Sequence, residues 1–271
     1  MARDMRVNGA NNHPVGAGYA GLMGQPKVNE HAMENASYLN LAHQLVLRSS
    51  IDILANNIAN ATTGAYKGER MIFSEYLVRQ ARDHEVNFVR NAGLHNDFRQ
   101  GDLTITGNPL DIALQGRGFF VVDTPDGARY SRAGHLRLNE QNALVTGDGF
   151  PVLGDGGPIE LPPGGESVVI ARDGTIASDG TRVGKIRVVL FEKPGELYRT
   201  NFGFYNTDQA PITTENTQIL QNTLEESNVQ PIVEITRMID VFRSYQSAQR
   251  ASDTHHDLQR RAIQKILSTE A

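Results

Sequence analysis

Two segments at opposite ends of this chain carry helix-period apolar stripes, and a turn-rich stretch of β character separates them. Near the start, Leu47, Ile51, Leu54, Ile58 and Ala61 recur at spacings of three and four. Near the end, Ile232, Ile235, Ile239 and Phe242 follow the same rhythm, which runs on through Gln246, Gln249, Asp253 and His256 to Ile263 and Leu267. Side chains spaced in this way share one face of an α-helix. Helices so distant in the chain meet only where the intervening region leaves and returns at neighbouring points. The termini are therefore expected to form a joint interaction element, with a β domain as an insertion.

The expected boundaries follow from this pattern. Residues 1–32 hold several Gly, two Pro and no apolar period, and read as a disordered lead-in or as an over-extended start with Met33 the true initiator. Residues 33–65 carry the N-terminal helix, with Asn35 as its cap and Gly64 as its stop. Residues 66–105 are a mixed, polar connector with extended arms. Residues 106–222 form the β domain, and residues 223–271 the C-terminal helix, beginning near Pro231, whose fixed φ suits a first helical position. Within the β domain Asp-Gly occurs at 126–127, 148–149, 155–156, 173–174 and 179–180, the pair that type I′ hairpin turns prefer. Short β-type runs lie between these pairs, and nothing resembles a βαβ unit. The fold class expected is α+β: N- and C-terminal helices forming a coiled-coil-like assembly domain, with an inserted all-β antiparallel domain.

Both helices exceed what the β domain can cover, so much of their apolar surface is expected to face partner subunits. The expected assembly interface comprises Leu47, Ile51, Leu54, Asn56, Asn57, Ile58, Asn60, Ile232, Ile235, Ile239, Phe242 and Tyr245. Asn56, Asn57 and Asn60 are unusual inside a helix. They are either exposed polar positions or amides that fix register across a subunit interface. In an isolated subunit, residues 33–62 and 230–267 are expected to be poorly ordered.

Composition narrows the function classes. There is no Cys, which excludes disulfides, thiolate metal sites and cysteine nucleophiles. A formal charge of -5 argues against nucleic acid or an anionic membrane as partner. No apolar run approaches the ~18 residues of a membrane-spanning helix, and no cleaved secretory signal is expected. His255-His256-Asp257 suggests a metal, but adjacent helical residues point ~100° apart. No Asp-x-Asp-x-Asp-Gly loop supports calcium. Gly116-Arg117-Gly118 lacks the third glycine and following helix of a dinucleotide loop. No catalytic, cofactor-binding or metal-binding residue is assigned, no cofactor is expected, and the chain is read as a non-enzyme.

Five separated blocks carry a family resemblance. They are Ala55-Asn56-Asn57-Ile58-Ala59-Asn60-Ala61-Thr62-Thr63-Gly64-Ala65-Tyr66-Lys67, Gly107-Asn108-Pro109-Leu110-Asp111-Ile112-Ala113-Leu114-Gln115-Gly116-Arg117-Gly118-Phe119-Phe120, Tyr130-Ser131-Arg132-Ala133-Gly134, Leu144-Val145-Thr146-Gly147-Asp148-Gly149-Phe150-Pro151-Val152 and Leu224-Glu225-Glu226-Ser227-Asn228-Val229. Together they resemble the rod and hook family, the axial proteins of the bacterial flagellum. Met33-Glu34-Asn35 and Phe73-Ser74-Glu75-Tyr76-Leu77-Val78 are most similar to its proximal-rod members. Tyr66 replaces the family's usual Phe, Gln230 a commoner Asn, and residues 1–32 have no family counterpart.

The resemblance implies a structural subunit of the periplasmic rod, polymerising around the export channel and transmitting torque. It also implies export through the flagellar type III apparatus without a cleaved signal. The partners implied are other copies of this chain, neighbouring proximal and distal rod subunits, the export apparatus and an export chaperone. The alternatives are a distal-rod or hook subunit, or more remotely a periplasmic carbohydrate-acting protein, which the missing Trp disfavours.

Overall fold

The computed structural model describes residues 30–79, 85–164, 167–213 and 217–269. Two long helices, α1 (Glu30–Ala59) and α2 (Pro231–Thr269), flank an antiparallel β region. At 1.5 Å per residue they extend about 45 and 58 Å. Helix α1 starts ahead of the expected cap, so Asn35 lies inside it and residues 30–32 of the expected lead-in are helical. The rest of that lead-in, residues 1–29, falls outside the described residues. Helix α1 also ends at Ala59, before Gly64, and the chain then turns through residues 60–64.

The two helices pack antiparallel. Asn40 and Gln44 donate to the backbone oxygen of Ala248, at 3.3 Å each, and Asn57 donates to Glu234 at the other end of the pair. The less exposed residues of α2 are Glu234, Met238, Val241, Tyr245, Ala248, Ser252, His255 and Gln259, spaced alternately by four and three. That spacing marks the seam of the pair.

The connector is a long hairpin, β1 (Glu69–Arg79) with β2 (Glu85–Asn96), with a bulge between Ile72 and Phe73. Beyond it the chain builds the inserted β region, in which every described strand pair is antiparallel. Strand Phe119–Thr124 lies centrally in a six-stranded sheet, between Gly127–Ser131 and Val188–Leu190. Successive side chains of a strand point to opposite faces, and here both faces are buried. Phe120 joins Ile112, Leu114, Leu144, Ile176 and Ile219 in one core. Phe119 and Val121 join Tyr130, Val189, Phe191 and Tyr205 in the other.

All five Asp-Gly pairs fall at turns or bends. Only Asp179-Gly180 has both residues at positive φ, 49° and 79°, joining Ser178 to Thr181 as a type I′ turn does. At 126, 148 and 173 the aspartate is not at positive φ and only the glycine is, while at 155–156 the left-handed residue is the next one, Gly157. The dipeptide therefore marks the turns without fixing their type.

The strand entering the β region, Leu103–Ile105, pairs with the strand leaving it, Thr223–Glu225. Entry and exit thus lie side by side, as two helices that meet require.

Candidate assembly interface

Where the helix pair joins the β region, the chain buries polar groups rather than apolar ones. Asn57 is buried, and its amide is bonded within the chain on both its oxygen and its nitrogen. Its Oδ1 accepts from the Glu69 backbone N–H at 2.9 Å, and its Nδ2 donates to the Glu69 carbonyl at 2.9 Å and to Glu234 Oε2 at 3.4 Å. The Tyr66 hydroxyl lies 3.1 Å from the same Oδ1 and 2.8 Å from Asn56 Oδ1. The single Tyr66 proton serves one of these two oxygens, but both donors of the Asn57 amide are used within the chain and its side chain is buried, so it does not face a neighbouring subunit. Asn57 sets register inside the chain, tying the end of α1 to the start of β1 and, through Glu234, to α2.

Asn228 acts in the same way from the other side. Its Oδ1 accepts from Gly68 N–H at 2.9 Å, while its Nδ2 donates to the carbonyls of Asp97 and Arg99. Gly101 passes so close to the Glu226 carbonyl that a Cβ would lie 2.1 Å from that oxygen, which excludes any side chain there. Arg199 lies over the Tyr66 ring at 4.1 Å and donates to the Lys67 carbonyl at 2.8 Å, a cation–π contact that closes the joint's outer edge.

At the centre, Lys67, Glu225 and Arg132 form a buried charge cluster. Lys67 Nζ donates to Glu225 Oε1 and to the Arg99 carbonyl, the latter at 2.9 Å. The same carboxylate accepts from Gly101 N–H at 3.0 Å, and Arg132 Nη1 lies 3.5 Å from Oε2. Burial lowers the Lys67 pKa from its ordinary value, against the opposing pull of the Glu225 charge. Burial likewise lowers that of Arg132. Two cations share one carboxylate, so Glu225 holds the whole cluster in place.

The helical interface residues expected from sequence separate into three groups. Leu47, Ile51, Leu54 and Ile58 continue the face of Asn40 and Gln44 and are half-buried, as is Tyr245 on the α2 seam. Asn56, Asn57 and Asn60 belong to the joint, with Asn60 donating to Asn56. Ile232, Ile235, Ile239 and Phe242 stand apart from both, on the outward face of α2, with Ile232 81% and Phe242 48% exposed. Two exposed leucines of α1, Leu41 and Leu45, were not singled out by periodicity because only two of them occur in the outward row. Lys67, Arg132, Glu225 and Asn228 were also missed as a group. Each stands in one of the family-like blocks, and their convergence is the signal that those blocks carried.

Among the described residues, no three His, Asp or Glu side chains come together as metal ligands, and no helix is long and apolar enough to cross a membrane. Residues 113–178 match the family model for the D1 domain of the flagellar hook protein FlgE/F/G, and residues 220–265 that for the C-terminal part of the flagellar basal body rod FlgEFG proteins. The flagellar basal-body rod protein FlgF of Caulobacter vibrioides is 38% identical over 86% of this chain and 98% of its own length.

The chain belongs to the flagellar basal-body rod protein family.

FlgF of Mesorhizobium japonicum is 34% identical over 79% of this chain and 90% of its own. The rod protein FlgG of Agrobacterium fabrum is 30% identical over 73% and 87%. The family's C-terminal model spans the last β strands, the joint residues Glu225 and Asn228, and α2 as far as residue 265. It therefore covers part of the buried joint, Glu225, Asn228 and Glu234, and the exposed apolar row of α2.

Proposed function

We propose that this chain is a structural subunit of the proximal rod of the bacterial flagellar basal body. The observation that carries the reading is the similarity to FlgF proteins across nearly their whole length. In this role the paired helices act as a coiled-coil-like assembly domain. Their outward apolar rows bury against other copies of the chain and against neighbouring rod subunits, and the rod so built surrounds the export channel and transmits torque. Each Ile or Leu so buried stabilises the contact by ~1.5–3 kcal/mol.

The remaining parts of the reading are export through the flagellar type III apparatus, with a chaperone and without a cleaved signal, and the absence of enzymatic activity. The rod names of the relatives and the mechanical use of every polar cluster described above support a structural role.

The experiment is to image purified basal bodies in which the β region carries a small tag. Label confined to the rod segment nearest the inner membrane is expected. Label farther out identifies a distal-rod or hook subunit, and basal bodies without label overturn the rod reading.

A further inference from the structure

The five Asp-Gly pairs share one sequence, and the fold treats them differently. Each carries a latent reaction, in which the glycine nitrogen attacks the aspartate side chain with no Cβ on the glycine to block the approach. The attack requires a backbone N–H that is not tied to an acceptor. It also requires a carboxyl that donors do not hold as the anion.

Four pairs are restrained on one count or both. The Gly149 N–H donates to the Thr146 carbonyl and the Gly174 N–H to that of Ala171, at 2.9 Å each. Gly127 is held in the ladder opposite Thr124, and its carbonyl accepts from the Thr124 hydroxyl. Asp173 accepts from the Thr175 N–H at 3.0 Å and from its hydroxyl at 2.8 Å, bonds that lower its pKa from 3.8. Asp179 accepts from the Ser167 N–H at 3.2 Å.

Asp155-Gly156 is not restrained in this way. The pair is the exposed turn between strands Leu153–Gly154 and Gly157–Pro158. Among the described residues, nothing hydrogen-bonds to the Asp155 carboxyl or to the Gly156 N–H. A Cβ added at Gly156 would meet nothing within 4 Å, so the turn has room to rearrange. One contact is aimed at the reacting atoms themselves. Arg187 Nη2 donates to the Asp155 carbonyl oxygen at 3.1 Å, and that carbonyl shares its peptide unit with the Gly156 N–H. A guanidinium at this oxygen makes the N–H more acidic, and it stabilises the oxyanion that forms when water adds to the carbonyl.

We infer that Asp155-Gly156 is a site of self-modification, where aspartate converts to isoaspartate and Arg187 promotes the conversion. The Gly156 nitrogen bonds to Asp155 Cγ, and the carboxyl hydroxyl leaves with the nitrogen's proton as water. Water then adds to the α-carbonyl carbon of Asp155, and the bond from that carbon to the Gly156 nitrogen breaks. The chain now runs through Cβ and Cγ, and the α-carboxylate is left free. Water lost equals water gained, so no further reactant is needed. Arg187 then faces a carboxylate in place of a carbonyl, and this charge-assisted contact favours isoaspartate over return to aspartate. The lengthened backbone lies where the Asp155 N–H donates to the Lys185 carbonyl and Gly154 bridges Ile186. An aged subunit therefore differs from a new one at this edge of the β region. The inference does not depend on the rod reading.

For the test, the full-length chain is kept warm at neutral pH for several weeks, and peptide mapping with electron-transfer fragmentation assigns isoaspartate residue by residue. Isoaspartate at 155 is expected to form about tenfold faster than at 126, 148, 173 or 179, the scale of one hydrogen bond to a charged group. Arg187→Gln is expected to slow it by about the same factor. Gly156→Ala, which the open space accommodates, shields the nitrogen and is expected to slow the reaction at 155 alone. In urea the preference for 155 and the effect of Arg187→Gln are expected to vanish. Equal rates at the five pairs in the folded chain, or another pair reacting first, overturn the site. An unchanged rate in Arg187→Gln, with circular dichroism matching the wild type, overturns the part given to Arg187. A preference for 155 that persists in urea shows that local sequence sets it and overturns the structural account.

Discussion

The joint and the outer rows of the helical end are built from opposite materials. The joint buries Asn57 and Glu234 and encloses the Lys67–Glu225–Arg132 cluster, while between the helices half-buried Leu47, Ile51, Leu54 and Ile58 lie along an α2 seam of mixed character, from Met238 and Val241 to Ser252, His255 and Gln259. Outside lie Ile232, Ile235, Ile239, Phe242, Leu41 and Leu45. Polar groups with fixed partners impose one geometry, because a misplaced donor or carboxylate is costly when buried. Apolar surface imposes none by itself and stabilises whatever contact covers it. The difference teaches that the joint defines the shape of the subunit, while in the proposed rod role the outer rows supply the attraction between subunits.

That contrast breaks most visibly at Glu225. Glu225→Gln leaves two buried cations without a counter-charge, and its expected cost in urea unfolding of the purified chain is about 3–5 kcal/mol. Ile239→Asp, on the outer row, is expected to move the same midpoint by less than about 0.5 kcal/mol while abolishing incorporation into the rod. Equal loss of stability in the two variants would mean that inside and outside are not separate in function.

Asn57→Ala sharpens the comparison at a position first read as intersubunit. It strands the Glu69 N–H and carbonyl and one contact of Glu234, and an expected loss of about 1–3 kcal/mol follows in the monomer. A monomer of unchanged stability with lost assembly would return Asn57 to the interface.

The smallest effect is on the acid limb. Arg99 hydrogen bonds to Asp97 hold its carboxyl below the ordinary carboxylate value of 3.8. A carboxylate lowered in the folded state adds stability that is complete above the unfolded pKa and lost as pH falls through the folded one. Asp97→Asn is therefore expected to flatten the decline in stability below about pH 4, as followed by circular dichroism. An unchanged acid limb would place the pH-sensitive contact elsewhere.

These two materials also decide what could be read from the sequence. The outer row of α2 was legible because Ile232, Ile235 and Ile239 carry an apolar period. The inner seam was legible only in part: Leu47, Ile51, Leu54 and Ile58 carry an apolar period, but Ser252, His255 and Gln259 have the spacing without the hydrophobicity. The β insertion was legible from its Asp-Gly turns and alternating runs. The joint was not, since Lys67 and Glu225 are brought together by the fold of everything between them. The cap at Asn35 failed because a polar residue inside a long helix looks the same as one at its start. The hairpin of β1 and β2 was visible only as extended arms, since its residues mix polar and apolar types without strict alternation.

The pairing of Leu103–Ile105 with Thr223–Glu225 also makes the β region a cartridge. Its entry and exit lie side by side, so residues can be added or removed between them without shifting where Asn57 and Glu234 meet. The entropy of closing a loop grows only slowly with its length, so a larger or smaller cartridge costs the helical end little.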